Sequence, residues 1–207
     1  MVRPNEQVNS NSGFSLIELL VVMTLMLIVL SLVSMIFGTA LSTRERESEK
    51  TDALTSVQSA LNLMSREIAN SGYGLTDNGI VTSDSNSKLI HFRANVENDD
   101  LQTNDIGEEI AYFYDPDTDS VVRFDRFAAP QSSIVINRVA NVTFKYLEYA
   151  GNSTVPIVKS TPTSETAAVR ITLMVELDNF PGQPDNQNVS STTEVSLRNS
   201  RFLLNKY

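Results

Sequence analysis

One uninterrupted apolar run dominates the first quarter of the chain. Between Leu19 and Thr43 there are 25 positions without a charged residue. About 20 apolar residues in a helix are enough to cross the hydrocarbon core of a membrane. No proline occurs between Pro4 and Pro116, so the helix has no reason to stop where the apolar run ends. The pattern predicts a membrane-spanning helix over residues 14–43 that continues past them.

The pattern then narrows to a single apolar stripe at helical spacing. Apolar residues recur at alternating intervals of three and four at Leu54, Val57, Leu61, Met64 and Ile68. This periodicity is typical of a helix that packs one face on a core. It predicts an amphipathic second half of the helix over residues 44–72, lying against a sheet. The helix is expected to end near Asn70, since Gly72 suits the left-handed backbone that often follows a helix.

Beyond Lys88 the spacing of apolar residues changes to two, which is the period of a strand. Turn residues separate six such segments, at 88–95, 108–114, 120–127, 134–149, 167–177 and 192–204. The segments between them that are rich in Asn, Ser, Thr, Gly, Pro and Asp read as loops, at 75–87, 150–166 and 179–191. The fold class is therefore α+β, with a head over residues 73–207 built on an antiparallel sheet of about five to seven strands.

Composition and charge limit the function. The 207 residues are enough for one domain and a separate element. The formal net charge of −9 repels the phosphate backbone, so no direct nucleic-acid partner is expected. The chain has no cysteine, which excludes disulfides, thiolate metal sites and a cysteine nucleophile.

Three interpretations of the apolar run compete. A cleaved secretory signal has a shorter apolar region, of about 7 to 15 residues, although Gly38 and Ala40 imitate its cleavage site. A plain signal anchor explains the length of the apolar run but nothing else about it. A membrane segment that is later used in assembly also explains Glu18, because a carboxylate inside a spanning helix costs a few kcal/mol at the bilayer centre, at least ~2.5, and by default marks a function. The alternative for Glu18 is a hydrated carboxylate at the headgroup level.

The residues around Glu18 favour assembly. The order Gly13-Phe14-Ser15-Leu16-Ile17-Glu18, followed by the apolar run, resembles the class III signal of type IV pilins and type II secretion pseudopilins. The resemblance implies that residues 1–13 are a leader and that a prepilin peptidase cuts after Gly13. It also implies N-methylation of the new N-terminal Phe14. Glu18 would then pair with the N-terminal amine of a neighbouring subunit and set the register of the filament.

The head adds a narrower resemblance, to PilW-type minor pilins and to the related J-type minor pseudopilin of type II secretion. It is carried by the order of five segments, REIANSGYG, EIAYFYDPDTDSVVRF, NVTFKYLEYAGN, AAVRITLMVEL and VSLRNSRF. The implied fold is pilin-like, and the implied role is a minor pilin that primes pilus assembly in a tip complex.

The same resemblance implies partners and a location. The partners would be the prepilin peptidase, other minor pilins, the major pilin and, as a further candidate, a tip adhesin. The chain would cross the bacterial inner membrane once, with its C-terminal head in the periplasm, and would then enter the pilus near its tip. The alternatives are a minor pseudopilin of type II secretion and a membrane-anchored periplasmic binding domain.

Sites for chemistry are few. Asp115, Asp117 and Asp119 alternate as in the first half of an EF-hand loop, but Ser120 and Arg126 stand where that loop needs Gly and Glu. A tight hairpin turn is therefore favoured over a calcium site, and calcium is the one cofactor considered.

The remaining candidates also favour structure over chemistry. The single histidine, His91, is expected on a strand, facing solvent or a hydrogen-bond partner. Five aromatic residues are interpreted as core: Tyr112, Phe113, Tyr114, Phe124 and Phe127. No nucleophile elbow or phosphate-binding loop occurs, so the chain is predicted not to be an enzyme.

Overall fold

The computed structural model describes residues 13–97, 102–151, 153–177 and 187–204. The predicted leader, except for Gly13, and most of the predicted loop 179–191 lie outside these residues. The chain divides into two compact units, with the boundary between Arg46 and Glu47. Each unit is described by itself below.

The long helix α1 spans Leu16–Ala69, which is 54 residues. It ends one residue from the predicted end, and Gly72 adopts the predicted left-handed backbone with φ of +79°. The last amides turn back over three residues: Asn70 N–H donates to the Glu67 carbonyl and Ser71 N–H donates to the Ile68 carbonyl. This tightening satisfies carbonyls that the end of a helix would otherwise leave without partners.

Within the described ranges, eight strands follow α1 and form two antiparallel sheets of four. Their bounds are β1 Leu89–Arg93, β2 Glu109–Asp115, β3 Ser120–Asp125, β4 Ser132–Ile136, β5 Val139–Glu148, β6 Ile157–Lys159, β7 Ala168–Glu176 and β8 Asn188–Ser196, with a short helix α2 at Arg201–Leu204. The first sheet has the order β1-β2-β3-β4 and the second has the order β6-β5-β7-β8. The α+β class, with a long N-terminal helix and antiparallel sheets, is confirmed.

Four details of the strand prediction are wrong. The described residues of the head form eight strands in two sheets and not one sheet of five to seven strands. The last predicted strand, 192–204, is instead β8, which begins inside the predicted loop 179–191 and is followed by the short helix α2. The segment 134–149 is two strands, because Asn137 and Arg138 break it and Arg138 takes a left-handed φ of +59°. A short strand, β6, lies inside the predicted loop 150–166, since its three residues pair with β5 from Glu148 to Tyr146.

The second half of α1 supplies one wall of the head's core. Val57, Leu61, Met64 and Ile68 of the predicted stripe are buried, together with Ala60, and they share one cluster with apolar residues of both sheets. Leu54, the first residue of the stripe, is half-buried. Burying each large side chain contributes about 1.5–3 kcal/mol, which explains why a helix of this composition is held against the sheets.

A polar network links α1 to the first sheet. The Tyr112 hydroxyl donates to the Glu67 carboxylate, and Arg123 Nε donates to both Glu67 oxygens at 3.0 and 3.1 Å. Arg123 Nη1 also donates to Asp125 Oδ2 at 3.2 Å. Burial, and then the neighbouring charge of Glu67, raise the pKa of Tyr112 well above its ordinary value, so this tyrosine stays a neutral donor.

Two glycines join the end of α1 to β1 by close backbone contact. Gly72 N–H donates to the Arg93 carbonyl at 2.8 Å, and Arg93 N–H donates to the Gly79 carbonyl at 2.8 Å. A Cβ on Gly79, which has φ of +72°, would overlap the Gly72 nitrogen and the Arg93 carbonyl oxygen. Only glycine fits this position.

We expect Gly79→Ala to lower the free energy of unfolding of the head by roughly 3 kcal/mol. About 1–2 kcal/mol comes from placing alanine in a left-handed backbone, and a further 1–3 kcal/mol or so comes from the overlap with neighbouring backbone. Urea unfolding of the full chain in detergent, followed by tyrosine fluorescence, measures this loss.

Gly107→Ala is the matched control. Gly107 also has a left-handed φ, of +89°, but a Cβ there meets nothing within 4 Å. The free energy of unfolding of the Gly107→Ala chain should fall only by the backbone contribution of about 1–2 kcal/mol. Equal losses for the two variants would contradict the close contact at Gly79.

Candidate functional site

The residues expected to take part in cleavage, methylation and assembly lie at the start of α1 or just before it. Gly13 and Phe14 precede the helix and are exposed, with 81% of Phe14 accessible to solvent. The Ser15 carbonyl accepts the backbone amides of Glu18 at 3.0 Å and Leu19 at 3.2 Å, so Ser15 is the N-cap residue immediately before the helix. The bond after Gly13 therefore lies outside the helix, two residues ahead of its first residue, Leu16.

The helical surface that follows is apolar on every side. Between Leu16 and Leu41, nineteen large apolar residues of α1 are exposed. A helix that is apolar all round belongs in a membrane or among other helices, because such a surface is unfavourable in water. By length and composition α1 can cross a membrane.

Three threonine hydroxyls within this segment are satisfied by the helix itself. Thr24 donates to the Leu20 carbonyl at 2.8 Å, Thr39 to the Met35 carbonyl at 3.1 Å, and Thr43 to the Thr39 carbonyl at 2.9 Å. A hydroxyl that bonds its own helix can enter lipid without leaving a polar group unpaired.

Glu18 is different from these hydroxyl residues. It is the one ionisable residue of α1 before Arg44, and its side chain makes no hydrogen bond or ion pair with any residue that the structure describes. Ser15 and Glu18 have the spacing of a capping box, in which the carboxylate would accept the Ser15 amide. That bond is absent among the described contacts. Apolar surroundings would leave this carboxylate in need of a cation from outside the helix.

The three aspartates of the possible calcium loop form the predicted hairpin turn. Strands β2 and β3 pair up to Asp115 opposite Ser120. Asp115 accepts the Asp117 amide at 3.0 Å and the Thr118 hydroxyl at 2.8 Å, while Asp119 accepts the Tyr114 hydroxyl at 2.8 Å. In the described part of the chain no group of three His, Cys, Asp or Glu residues could hold a metal ion. Calcium binding stays a prediction of the sequence, and these contacts give it no support.

His91 lies on β1 with a carboxylate close to each ring nitrogen, and Nδ1 forms a hydrogen bond with Asp84. Nδ1 is 3.0 Å from Asp84 Oδ2, and Nε2 is 3.3 Å from Glu109 Oε1. Glu109 is nearly buried and is also held by Arg93 Nη2 at 3.3 Å and Arg126 Nη1 at 3.0 Å. The expectation of a strand histidine facing a partner is confirmed.

The electrostatics of Glu109 give the head an acid-sensitive element. Burial raises the pKa of Glu109, but hydrogen bonds from Arg126 and Arg93 outweigh it and hold the pKa below the ordinary value of 4.5. A carboxyl whose folded pKa is lowered stabilises the fold at higher pH, and this stability is lost as pH falls through the folded pKa.

We therefore expect Glu109→Gln to flatten the pH dependence of head stability. Relative to the variant, the wild-type chain should lose stability as the pH falls below about 5, through the ordinary pKa of 4.5 and then through the lowered pKa of the folded state. Urea midpoints of both chains from pH 7 to pH 3 measure this. An equal loss in the two chains would show that Glu109 does not contribute.

Sequence reasoning was wrong about part of the aromatic set. Tyr112 is buried in the core and Tyr114 packs against it, as predicted. Phe113 and Phe124 occupy the alternate positions on the opposite face of the first sheet, because neighbouring residues of a strand point to opposite faces. Phe127 lies after β3 and is 37% exposed.

Comparison with known proteins bears on the N-terminal segment alone. A family model described as the prokaryotic N-terminal methylation motif matches residues 8–34. The match spans Gly13 and Phe14 ahead of the helix, the first turn with Glu18, and part of the apolar surface. No curated protein and no solved structure matches the chain.

The motif narrows the class of protein. It supports a type IV pilin-like or pseudopilin protein, from a type IV pilus or a type II secretion system. It implies processing by a prepilin peptidase and interaction with other pilins, and the apolar helix fits a membrane-anchored, single-pass pilin. Proteins with this motif are structural and not catalytic, which is consistent with the prediction that the chain is not an enzyme.

Proposed function

We propose that this protein is a minor pilin of a type IV pilus that primes filament assembly as part of a tip complex. A prepilin peptidase removes residues 1–13, and Phe14 becomes the methylated N-terminus. The chain lies in the inner membrane with its head in the periplasm and then passes into the filament.

One observation carries the proposal. The matched methylation motif leads without a break into a helix whose apolar surface is exposed all round. A membrane anchor needs that surface but does not need the motif. A filament subunit needs both, since its helix exchanges lipid for neighbouring helices after processing.

The role of Glu18 follows from the same helix. Once the leader is removed, a neighbouring subunit has a new N-terminal amine. This amine is a cation that lies at the same depth in the apolar layer as Glu18. Its pairing with the Glu18 carboxylate offsets the cost of burying either charge alone. Because apolar helix surfaces slide easily past one another, such a pair also fixes the register between subunits.

A type II secretion pseudopilin is the second candidate, since the matched motif is common to both systems. Deleting the gene in its own host and restoring it on a plasmid separates the two. The proposal expects loss of surface pili with release of secreted proteins unchanged. Loss of exoprotein release with normal pili would assign the chain to type II secretion instead.

A further inference from the structure

The outer faces of the two sheets, which point away from the shared core, differ in chemistry. In the second sheet two adjacent rows of directly opposed residues are polar: Thr143, Thr172 and Thr192 in one row, and Lys145, Arg170 and Glu194 in the next. In the first sheet one row is apolar across all four strands, with Leu89, Phe113, Val122 and Ile134. A sheet face that meets water is normally polar. The apolar row on the outer face of the first sheet is therefore unusual for a surface that has no partner.

The apolar row ends in a cleft at β4. The cleft has a volume of about 280 Å³ and is lined by Phe113, Val122 and Ile134, with the hydroxyls of Thr118 and Ser132 and the carboxylate of Asp115 at its rim. Val122 is 7% exposed, whereas 61% of Ile134 is exposed. The cleft has room for an apolar side chain from outside.

Strand β4 is the edge of the first sheet. In the described ranges it pairs with β3 and with no other strand. Its register shifts beside Val121 and Val122, which leaves Ser132, Ser133 and Ile134 as a short regular stretch. An edge of this kind offers backbone donors and acceptors to an added strand, and an adjacent pocket selects its side chains.

Charge distinguishes between the candidate occupants. Asp115 lines the cleft, Asp117 and Asp119 follow it in the same hairpin turn, and the ion pairs found between described residues include none of the three. A second copy of the chain would bring the same acidic turn and a net charge of −9. Like charges at this density oppose association, whereas a Lys or Arg would be attracted.

We propose that β4 and its cleft dock an extended segment of a different protein subunit. That segment adds a strand to the β4 edge, places an apolar side chain between Val122 and Ile134, and directs a Lys or Arg at Asp115 and Asp117. The inference rests on the proposed function in one respect: the partner is another subunit of the same assembly.

Thiol protection tests the docking surface on the full chain. The protein has no cysteine, so Ser132→Cys introduces a unique thiol on β4. In membranes of the native host a maleimide should label this thiol about tenfold more slowly than in the purified chain in detergent. A docking surface that is occupied about nine-tenths of the time leaves the thiol accessible for the remaining tenth, which gives this factor. Ser190→Cys, at an exposed serine on the edge strand β8, should be labelled equally in both samples.

A second substitution connects protection to the cleft. Ile134→Ser in the Ser132→Cys chain should abolish the protection, whereas Val158→Ser should preserve it. Val158 is the matched control, because it is a 48% exposed apolar residue on the edge strand β6 of the other sheet.

Each other outcome overturns the proposal. Equal labelling of the Ser132→Cys chain in both samples means that nothing docks at β4. Protection in the purified chain means that a segment of the same chain covers the edge. A disulfide-linked homodimer through the new thiol identifies a second copy as the occupant. The N-terminal mass of the same samples reports separately on leader cleavage, so failure of the docking surface and failure of the proposed function are distinguishable.

Discussion

Replacing Gly13 with valine is expected to leave the leader attached and to remove the protein from filaments. A peptidase that cuts after Gly13 must accept the backbone on both sides of the bond, and a branched Cβ next to that bond obstructs it. The folded chain itself gives no reason for an effect, because a Cβ at Gly13 meets nothing within 4 Å. Immunoblots of sheared filaments and of membranes measure incorporation and processing together.

Gly38→Val is the matched control for this prediction. Gly38 lies further along the chain, within α1, and a Cβ there also meets nothing within 4 Å. The control should be processed and incorporated as the wild-type chain is. Normal processing of the Gly13→Val chain would place the cleavage elsewhere.

The second large effect is expected at Glu18. Glu18→Ala should insert into the membrane and lose its leader normally, yet enter filaments at least about tenfold less often, since breaking a buried charge pair costs about 3–5 kcal/mol. The ratio of the variant chain in sheared filaments to that in membranes measures the loss.

Ser15→Ala separates assembly from helix capping. It replaces the N-cap residue just before α1 but keeps the carboxylate, so it should affect incorporation far less than Glu18→Ala. Losing a cap costs about 1 kcal/mol. Unchanged piliation in the Glu18→Ala strain, with the subunit at its normal level in the filaments, would count against a role of Glu18 in register.

Periodicity predicted the helix and its core face because both depend on local spacing. The buried stripe from Val57 to Ile68 follows the helical repeat, and the position of Gly72 indicated where the helix ends. The hairpin at Asp115–Asp119 was predictable for the same reason, since turn residues separate two alternating segments. These features need no knowledge of which strands pair.

Features set by distant contacts were not predictable. The break at Asn137 and Arg138 has no Gly or Pro to mark it, and β6 exists because β5 offers it a partner. Alternation along a strand indicates two faces but not which face is covered, so Phe113 and Phe124 were assigned to the core in error.

The candidate site was predictable where a residue contradicts its surroundings. Glu18 stands out as a lone acid at the start of an apolar helix. Glu67 does not, because a glutamate on an amphipathic helix reads as solvated, although the structure pairs it with Tyr112 and Arg123. The weak signal was Arg123, a charge at a core-facing position of β3 between Val121 and Asp125.

Intact mass spectrometry of the protein from its own host shows directly whether the N-terminus is processed for assembly. We expect a chain that begins at Phe14 and carries one added methyl group. A chain that begins at Met1, or just after Ala40, would contradict it, and the protein would then be a plain membrane anchor or a secreted domain.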